Sequence, residues 1–335
     1  MDNIQLNKLF KIWHLGLLLL LLLLVSVGGF TRLTNSGLSI TNWEIFTGIL
    51  PPLNDQDWIK YFSLYKTIPQ YKKINFGMSL AEFKFIFWWE YAHRLLARII
   101  GIIFLLPLIY FIIKKIIINE RVYYFIFILL LFLFQGFLGW FMVKSGLTLH
   151  TDVSHFRLAA HLTTALLIIS LIFWSYLNIN SQTLTIQISK NKFLIFLLLL
   201  VFIQIIFGAF TSGLDAGLIY QTWPKMNLNF IAEEVSLQSF FSSEIFYDRS
   251  HVQFVHRIIA YSIFILYVIF YLKKIFSNYK YKNYLHIILF FLFLQILLGI
   301  FTLLSGLNIY LAASHQLTSI LLVMSILLLI YKLKY

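Results

Sequence analysis

Long apolar runs broken by short polar stretches dominate the chain, without the strict alternation of half-buried strands. Eight runs reach the ~20 residues needed to cross a bilayer core of ~30 Å. They cover 12–31, 85–113, 121–142, 154–177, 193–213, 249–272, 284–303 and 308–331. An open sheet cannot satisfy its backbone polar groups in lipid, so runs of this length predict helices. The expected fold class is an all-α integral membrane protein with eight transmembrane helices.

Composition agrees with that pattern. Of 335 residues, 60% are hydrophobic and only 12% charged, against ~25% charged in soluble domains. The basic residues choose an orientation. Lys8 and Lys11, then Lys114, Lys115 and Arg121, then Lys190 and Lys192, then Lys273, Lys274, Lys280 and Lys282, and finally Lys332 and Lys334 all fall on one side of an eight-helix threading. That side is expected to be cytoplasmic and to hold both termini. The opposite loops carry most of the acids. The net charge of +13 is therefore a topology signal and not a nucleic-acid footprint. The first run looks superficially like a signal peptide, but the same segment recurs as the fifth helix, so cleavage is not expected. Cysteine is absent, which excludes disulfides and thiolate metal sites. Redox chemistry would need a bound cofactor.

The chain repeats itself. Residues 28–43 align with 208–223 at one offset, matching Gly28 with Gly208, Thr31 with Thr211, Gly37 with Gly217 and Trp43 with Trp223. Gln135, Gly139 and Gly146 on the third helix match Gln295, Gly299 and Gly306 on the seventh. Two four-helix bundles are expected, 1–178 and 179–335, related by a pseudo-two-fold axis along the membrane normal. Each has a long outer loop, 32–84 and 214–248, with tryptophans and prolines that favour an ordered lid at the membrane surface.

Four histidines stand one on each even-numbered helix: His93, His161, His256 and His315. Each is about six to nine residues in from the outer end, roughly 10 Å at ~1.5 Å per residue. Ionisable groups at membrane depth are costly and usually functional. Imidazole binds haem iron axially, and bundles build cofactor sites from facing helices. Two haem sites are expected, with hydrogen bonds to neighbouring helices as the plainer explanation of any one histidine. Glu90 precedes His93 by three residues and shares its helix face, whereas Gln253 precedes His256. Only the first half thus has an acid–base group beside its histidine, unless Glu90 is simply paired with Arg94. Arg94, Arg98 and Arg257 are candidate partners for haem propionates, with snorkelling to the interface as the alternative. His14, His150, His155, His251 and His286 are assigned to interfaces.

Glu-x-x-His-Arg at 90–94, Gly-Gly-x-Thr-Arg at 28–32, Leu-Ala-Ala-His-Leu at 158–162, His256-Arg257 and Ser314-His315 together resemble the haem A synthase family. The resemblance runs from the first helix to the eighth. Lacking the cysteine pair of some members, the chain is similar to the alphaproteobacterial and mitochondrial type. The resemblance implies oxidation of a ring methyl of haem O to the formyl of haem A through hydroxylated intermediates, for cytochrome oxidase assembly. It implies that His93 and His161 hold the substrate haem and that His256 and His315 hold a haem b cofactor, with Glu90 catalytic. Implied partners are haem O synthase (the protohaem farnesyltransferase) and a quinone or other electron acceptor, and the implied location is the inner membrane. A di-haem b-type cytochrome serving a quinol, or a haem carrier, would use the same four histidines.

Overall fold

The computed structural model describes residues 3–43, 47–117, 120–147, 151–181, 184, 192–277 and 279–333. His150, Lys190 and Lys334 lie outside the described residues. Eight long helices follow in order: α1 (Asn3–Leu33), α2 (Leu80–Ile113), α3 (Glu120–Gly146), α4 (His155–Leu177), α5 (Lys192–Gly213), α6 (Arg249–Ile275), α7 (Lys282–Leu304) and α8 (Ile309–Lys332). All eight are long and apolar enough to cross a bilayer, so the chain is a multi-pass membrane protein. Among the described residues there is no strand, only an isolated bridge between Met226 and Asn229.

The helices begin where local chemistry starts them. Ser79 accepts from the Glu82 N–H while Glu82 accepts from the Ser79 N–H, a reciprocal cap that satisfies two orphan donors. This cap starts α2 at Leu80, five residues before the apolar run read as its beginning, and makes it 34 residues long. Asp248 caps α6 by accepting from the His251 N–H. Faces of exposed apolar side chains at helical spacing, such as Leu15, Leu19 and Leu23 on α1 and Leu130, Phe134, Phe137 and Phe141 on α3, suit contact with lipid tails, where water would penalise them.

The chain divides into two compact units, Met1–Arg157 and Leu158–Tyr335. In the first, α1 lies along α2, and α3 also packs on α2. The described part of the loop after α1 forms a helix, Asp55–Tyr65, capped by Asn54, that packs on the N-terminal part of α2. Trp58, Phe62 and Tyr65 pack against Phe83, Phe87 and Tyr91. Tyr65 donates to Gln70 and accepts from Asn75, and burial raises its pKa.

In the second unit α7 and α8 form the most extensive pair, followed by α5 with α6. Ala159 and Leu162 of α4 join Phe207 and Phe210 of α5 and Val252 and Val255 of α6 in one apolar cluster. The second lid is built around Tyr220, Met226 and Ala232. Tyr220 donates its hydroxyl to Glu234 at 2.6 Å. That bond lowers the Glu234 pKa and raises that of Tyr220.

Candidate functional site

His93, His161, His256 and His315 lie on α2, α4, α6 and α8 and are all half-buried. This sets them apart from His14, which is 0% exposed, bonds its own helix at the Phe10 carbonyl and is ringed by Phe10, Trp13 and Phe125. A histidine with every atom covered is a packing residue. One that keeps access to open space can take a ligand.

Three of the four rings rest on a glycine of a neighbouring helix. A Cβ added to Gly28 of α1 would stand 2.8 Å from Cε1 of His93, and one on Gly299 of α7 would stand 2.9 Å from Cε1 of His315. At Gly208 of α5 it would stand 3.3 Å from Cε1 of His256. Glycine is required here for close approach. For His315 a ring N–H turns to the carbonyl one helical turn before its glycine: Nδ1 donates to the Gln295 carbonyl at 2.9 Å. Leu24 and Gln204 hold the same place before Gly28 and Gly208. A carbonyl can only accept, so in His315 it puts the proton on Nδ1 and leaves the other nitrogen for iron. Metal-binding imidazoles characteristically donate their second N–H in this way. In the second unit His256 and His315 are close enough to interact electrostatically. Among the described residues no three His, Asp or Glu side chains gather to hold a bare metal ion. Imidazoles held by glycine and carbonyl, with open space beside them, fit an axial haem ligand set.

Glu90 is 3% exposed and has a full set of partners. Its Oε1 accepts from Arg94 Nη2 at 2.6 Å. Its Oε2 accepts from Ser39 Oγ at 2.7 Å and from the Ile40 N–H at 2.8 Å. The ion pair weighed from the sequence is therefore present. Arg94 also donates to the carbonyls of Ile40 and Asn42 and stands over the Trp43 ring. Arg98 donates to the Gly48 carbonyl. A crevice between the first lid and α2 is lined by Tyr61, Phe87, Tyr91, Arg94 and Arg98.

The second unit repeats this clasp with different chemistry. Arg257 donates to the carbonyls of Tyr220, Thr222 and Lys225. Positions 220 and 222 are the repeat counterparts of 40 and 42. Gln253, the counterpart of Glu90, donates to the Tyr220 carbonyl at 2.9 Å. In the first unit the side chain accepts from the lid; in the second it donates to it. A hydrogen-bonded chain runs from Asp248 through His251 to Ser239 at 2.7 and 2.8 Å, fastening the second lid to the start of α6. His155 is buried and packs at a tilt against Phe156, and His286 bonds Tyr271.

Glycines 28, 208 and 299 and glutamines 204 and 295 were not identified as site residues from sequence. The repeat alignment contained most of them, but only as markers of duplication.

Residues 11–327 match the family model described as cytochrome oxidase assembly protein. The chain belongs to that cytochrome oxidase assembly family. Similar curated members are each named heme A synthase. One from Pelagibacter ubique is 49% identical over 97% of this chain and 96% of its own length. One from Rickettsia bellii is 44% identical, covering 92% and 94%. A third, from Wolbachia pipientis, is 43% identical, covering 93% of each. Family membership therefore extends across both units and both lids.

Proposed function

We propose that this chain acts as a haem A synthase, an oxidoreductase that converts a ring methyl of haem O to the formyl of haem A. Conversion of methyl to formyl adds one oxygen from water and releases four electrons and four protons. The observation that carries the reading is the set of imidazoles held by glycine and carbonyl on apolar spans, in a chain of this family. His256 and His315 are assigned to the resident haem b. On the repeat, His93 and His161 are their counterparts and are assigned to the haem O substrate. Haem b, when bound, would supply one-electron acceptor chemistry.

The chain's own residues do the rest. Glu90 is assigned to receive a proton on the substrate side of α2, and its Ser39 and Ile40 donors fix where that carboxylate stands. Arg94, Arg98 and Arg257 anchor the lids through backbone carbonyls and are assigned to the haem propionates. The apolar helix faces accept the farnesyl tail from the lipid side. The protein is placed in the inner membrane with both termini cytoplasmic, receiving haem O from its farnesyltransferase and passing electrons to a quinone or similar acceptor.

Extraction and identification of the haems bound to the purified protein tests this reading. Haem B together with haem O or haem A is expected. Haem B alone, with no haem A formed from added haem O, would leave a b-type cytochrome instead.

A further inference from the structure

The second lid carries a turn whose apolar side chains face outward. The Met226 N–H donates to the Asn229 carbonyl at 2.7 Å, and the Asn227 N–H donates to Thr222 Oγ1 at 2.8 Å, so the turn has a fixed shape. Leu228, Phe230 and Ile231 at its tip are 81%, 68% and 53% exposed. No residue between Lys225 and Glu233 is charged. Large apolar side chains gathered on a surface mark a contact with protein or with lipid.

The place of the turn on α6 decides between them. Tyr220, Met226 and Ala232 pack against Phe254. Phe254 heads a stripe that continues through Ile258, Ile265, Ile269 and Leu272 at helical spacing. Those four are exposed, as suits lipid tails, and Phe254 is half-buried under the lid. The turn is thus seated on the end of a lipid-facing stripe. Lys273 and Lys274 stand in the last turn of α6. From Lys273 back to Phe254 is about 29 Å at ~1.5 Å per residue, and a bilayer core is ~30 Å thick. With the lysines at one boundary, Phe254 and the turn packed on it stand at the other. Lys225 Nζ lies 5.6 Å from the centre of the Phe230 ring, and Trp223 nearby is exposed. Lysine and tryptophan are the side chains that settle at headgroup level.

We propose that Leu228, Phe230 and Ile231 insert among the acyl chains of the lid-side leaflet, so that the second lid is anchored to the bilayer as well as to α6. The occupant is phospholipid, because the patch prolongs a lipid-facing stripe and its one cation stands where lipid phosphates lie. Arg257 holds the backbone of the lid, and lipid takes the side chains at its tip. The inference concerns the lid alone and is independent of the haem assignments.

The chain has no cysteine, so single-cysteine variants report one position each. Leu228→Cys, Phe230→Cys and Ile231→Cys are labelled with bimane in the full-length protein and reconstituted into vesicles of phosphatidylcholine and phosphatidylglycerol. Quenching by phosphatidylcholine carrying a nitroxide on its acyl chain is compared with quenching by aqueous iodide. Leu133→Cys, exposed in the middle of α3, is the lipid reference, and Lys72→Cys, exposed on the first lid, is the water reference. At all three tip positions nitroxide quenching is expected severalfold above that at Lys72, and iodide quenching severalfold below it. A nitroxide near the headgroup should quench the tip more than one near the chain end, with the reverse order at Leu133. Strong quenching by iodide and weak quenching by lipid would place the tip in water and overturn the proposal. Protection from both quenchers would mean that protein covers the patch and would overturn it equally; disulfides between copies at these positions would identify that protein as a second copy of the chain. Side chains this exposed make little core contact, and three separate variants keep the answer available if one fails to accumulate.

Discussion

The backbone N–H of Ile40 donates to Glu90 at 2.8 Å, so the first lid is fastened to α2 one turn before His93. The carboxylate therefore has a positioning role whatever else it does, and the two roles separate by substitution. Glu90→Gln keeps an oxygen for Ser39 and Ile40 and loses the charge. Arg94 retains the Ile40 and Asn42 carbonyls and the Trp43 face, so folded protein and second-half haem are expected to persist. Positioned proton transfer is worth ~10² to 10⁴ in rate, and haem A per mole of protein should fall accordingly, with a hydroxylated intermediate accumulating. Ser39→Ala, which removes a lid contact and leaves the carboxylate, should cost far less. Equal losses from the two substitutions, measured as haem A, haem O and alcohol in cells, would assign Glu90 to the lid alone.

Removal of either proposed second-half ligand is expected to convert the optical spectrum to high-spin or to empty the site. His256→Ala and His315→Ala are the variants, and absorbance of the purified protein is the measurement. A full low-spin haem b spectrum in both would show that the ligands lie elsewhere.

The glycine cradles predict a graded series. Gly299→Ala places a methyl 2.9 Å from the His315 ring, and Gly208→Ala places one 3.3 Å from the His256 ring. The first requires the imidazole to move, while the second requires a few tenths of an ångström from it. Haem content should drop severely in Gly299→Ala and mildly in Gly208→Ala, with Gly28→Ala like the former for the haem assigned to His93. The reverse order in a pyridine haemochrome assay would contradict the packing described.

Arg257 is the principal anchor of the second lid. Arg257→Gln should expose residues 225–235 to limited proteolysis from the outer side, and Arg257→Lys should not restore protection, since one ammonium cannot span three carbonyls as a guanidinium fork does. Unchanged protease resistance in Arg257→Gln would remove the clasp from the account.

Orientation is checked by reporter fusions. Those at 118 and 190 should report the cytoplasm, and those near 60 and 230 the outer compartment, following the Lys and Arg distribution. An outer signal at 118 or 190 would undo the threading.

How much of this the sequence revealed depends on the range of each interaction. Run length alone located eight helices, because lipid demands it. Hydropathy alone starts α2 five residues late, because Ser79 and Glu82, whose spacing is a capping signal, precede the apolar run. The four histidines stood out because a polar ring in an apolar run is conspicuous. Gln204 did not, since its counterpart Leu24 breaks the repeat at that position. The partners of Arg94 and Arg257 are main-chain oxygens of residues 40, 42, 220 and 222, which no residue pattern encodes. Only the folded lids bring them within reach.

Arg257 itself reads none of the second lid's side chains. Tyr220, Thr222 and Lys225 meet Arg257 through their carbonyl oxygens, and every amino acid has one. Substitution at 225 can alter the lid's surface without loosening its attachment, whereas Thr222 also shapes the clasp, its hydroxyl donating to the Lys225 carbonyl and accepting from the Asn227 N–H. The lid is therefore free to diverge among relatives that face different neighbours, while a change at 257 itself should be tolerated nowhere.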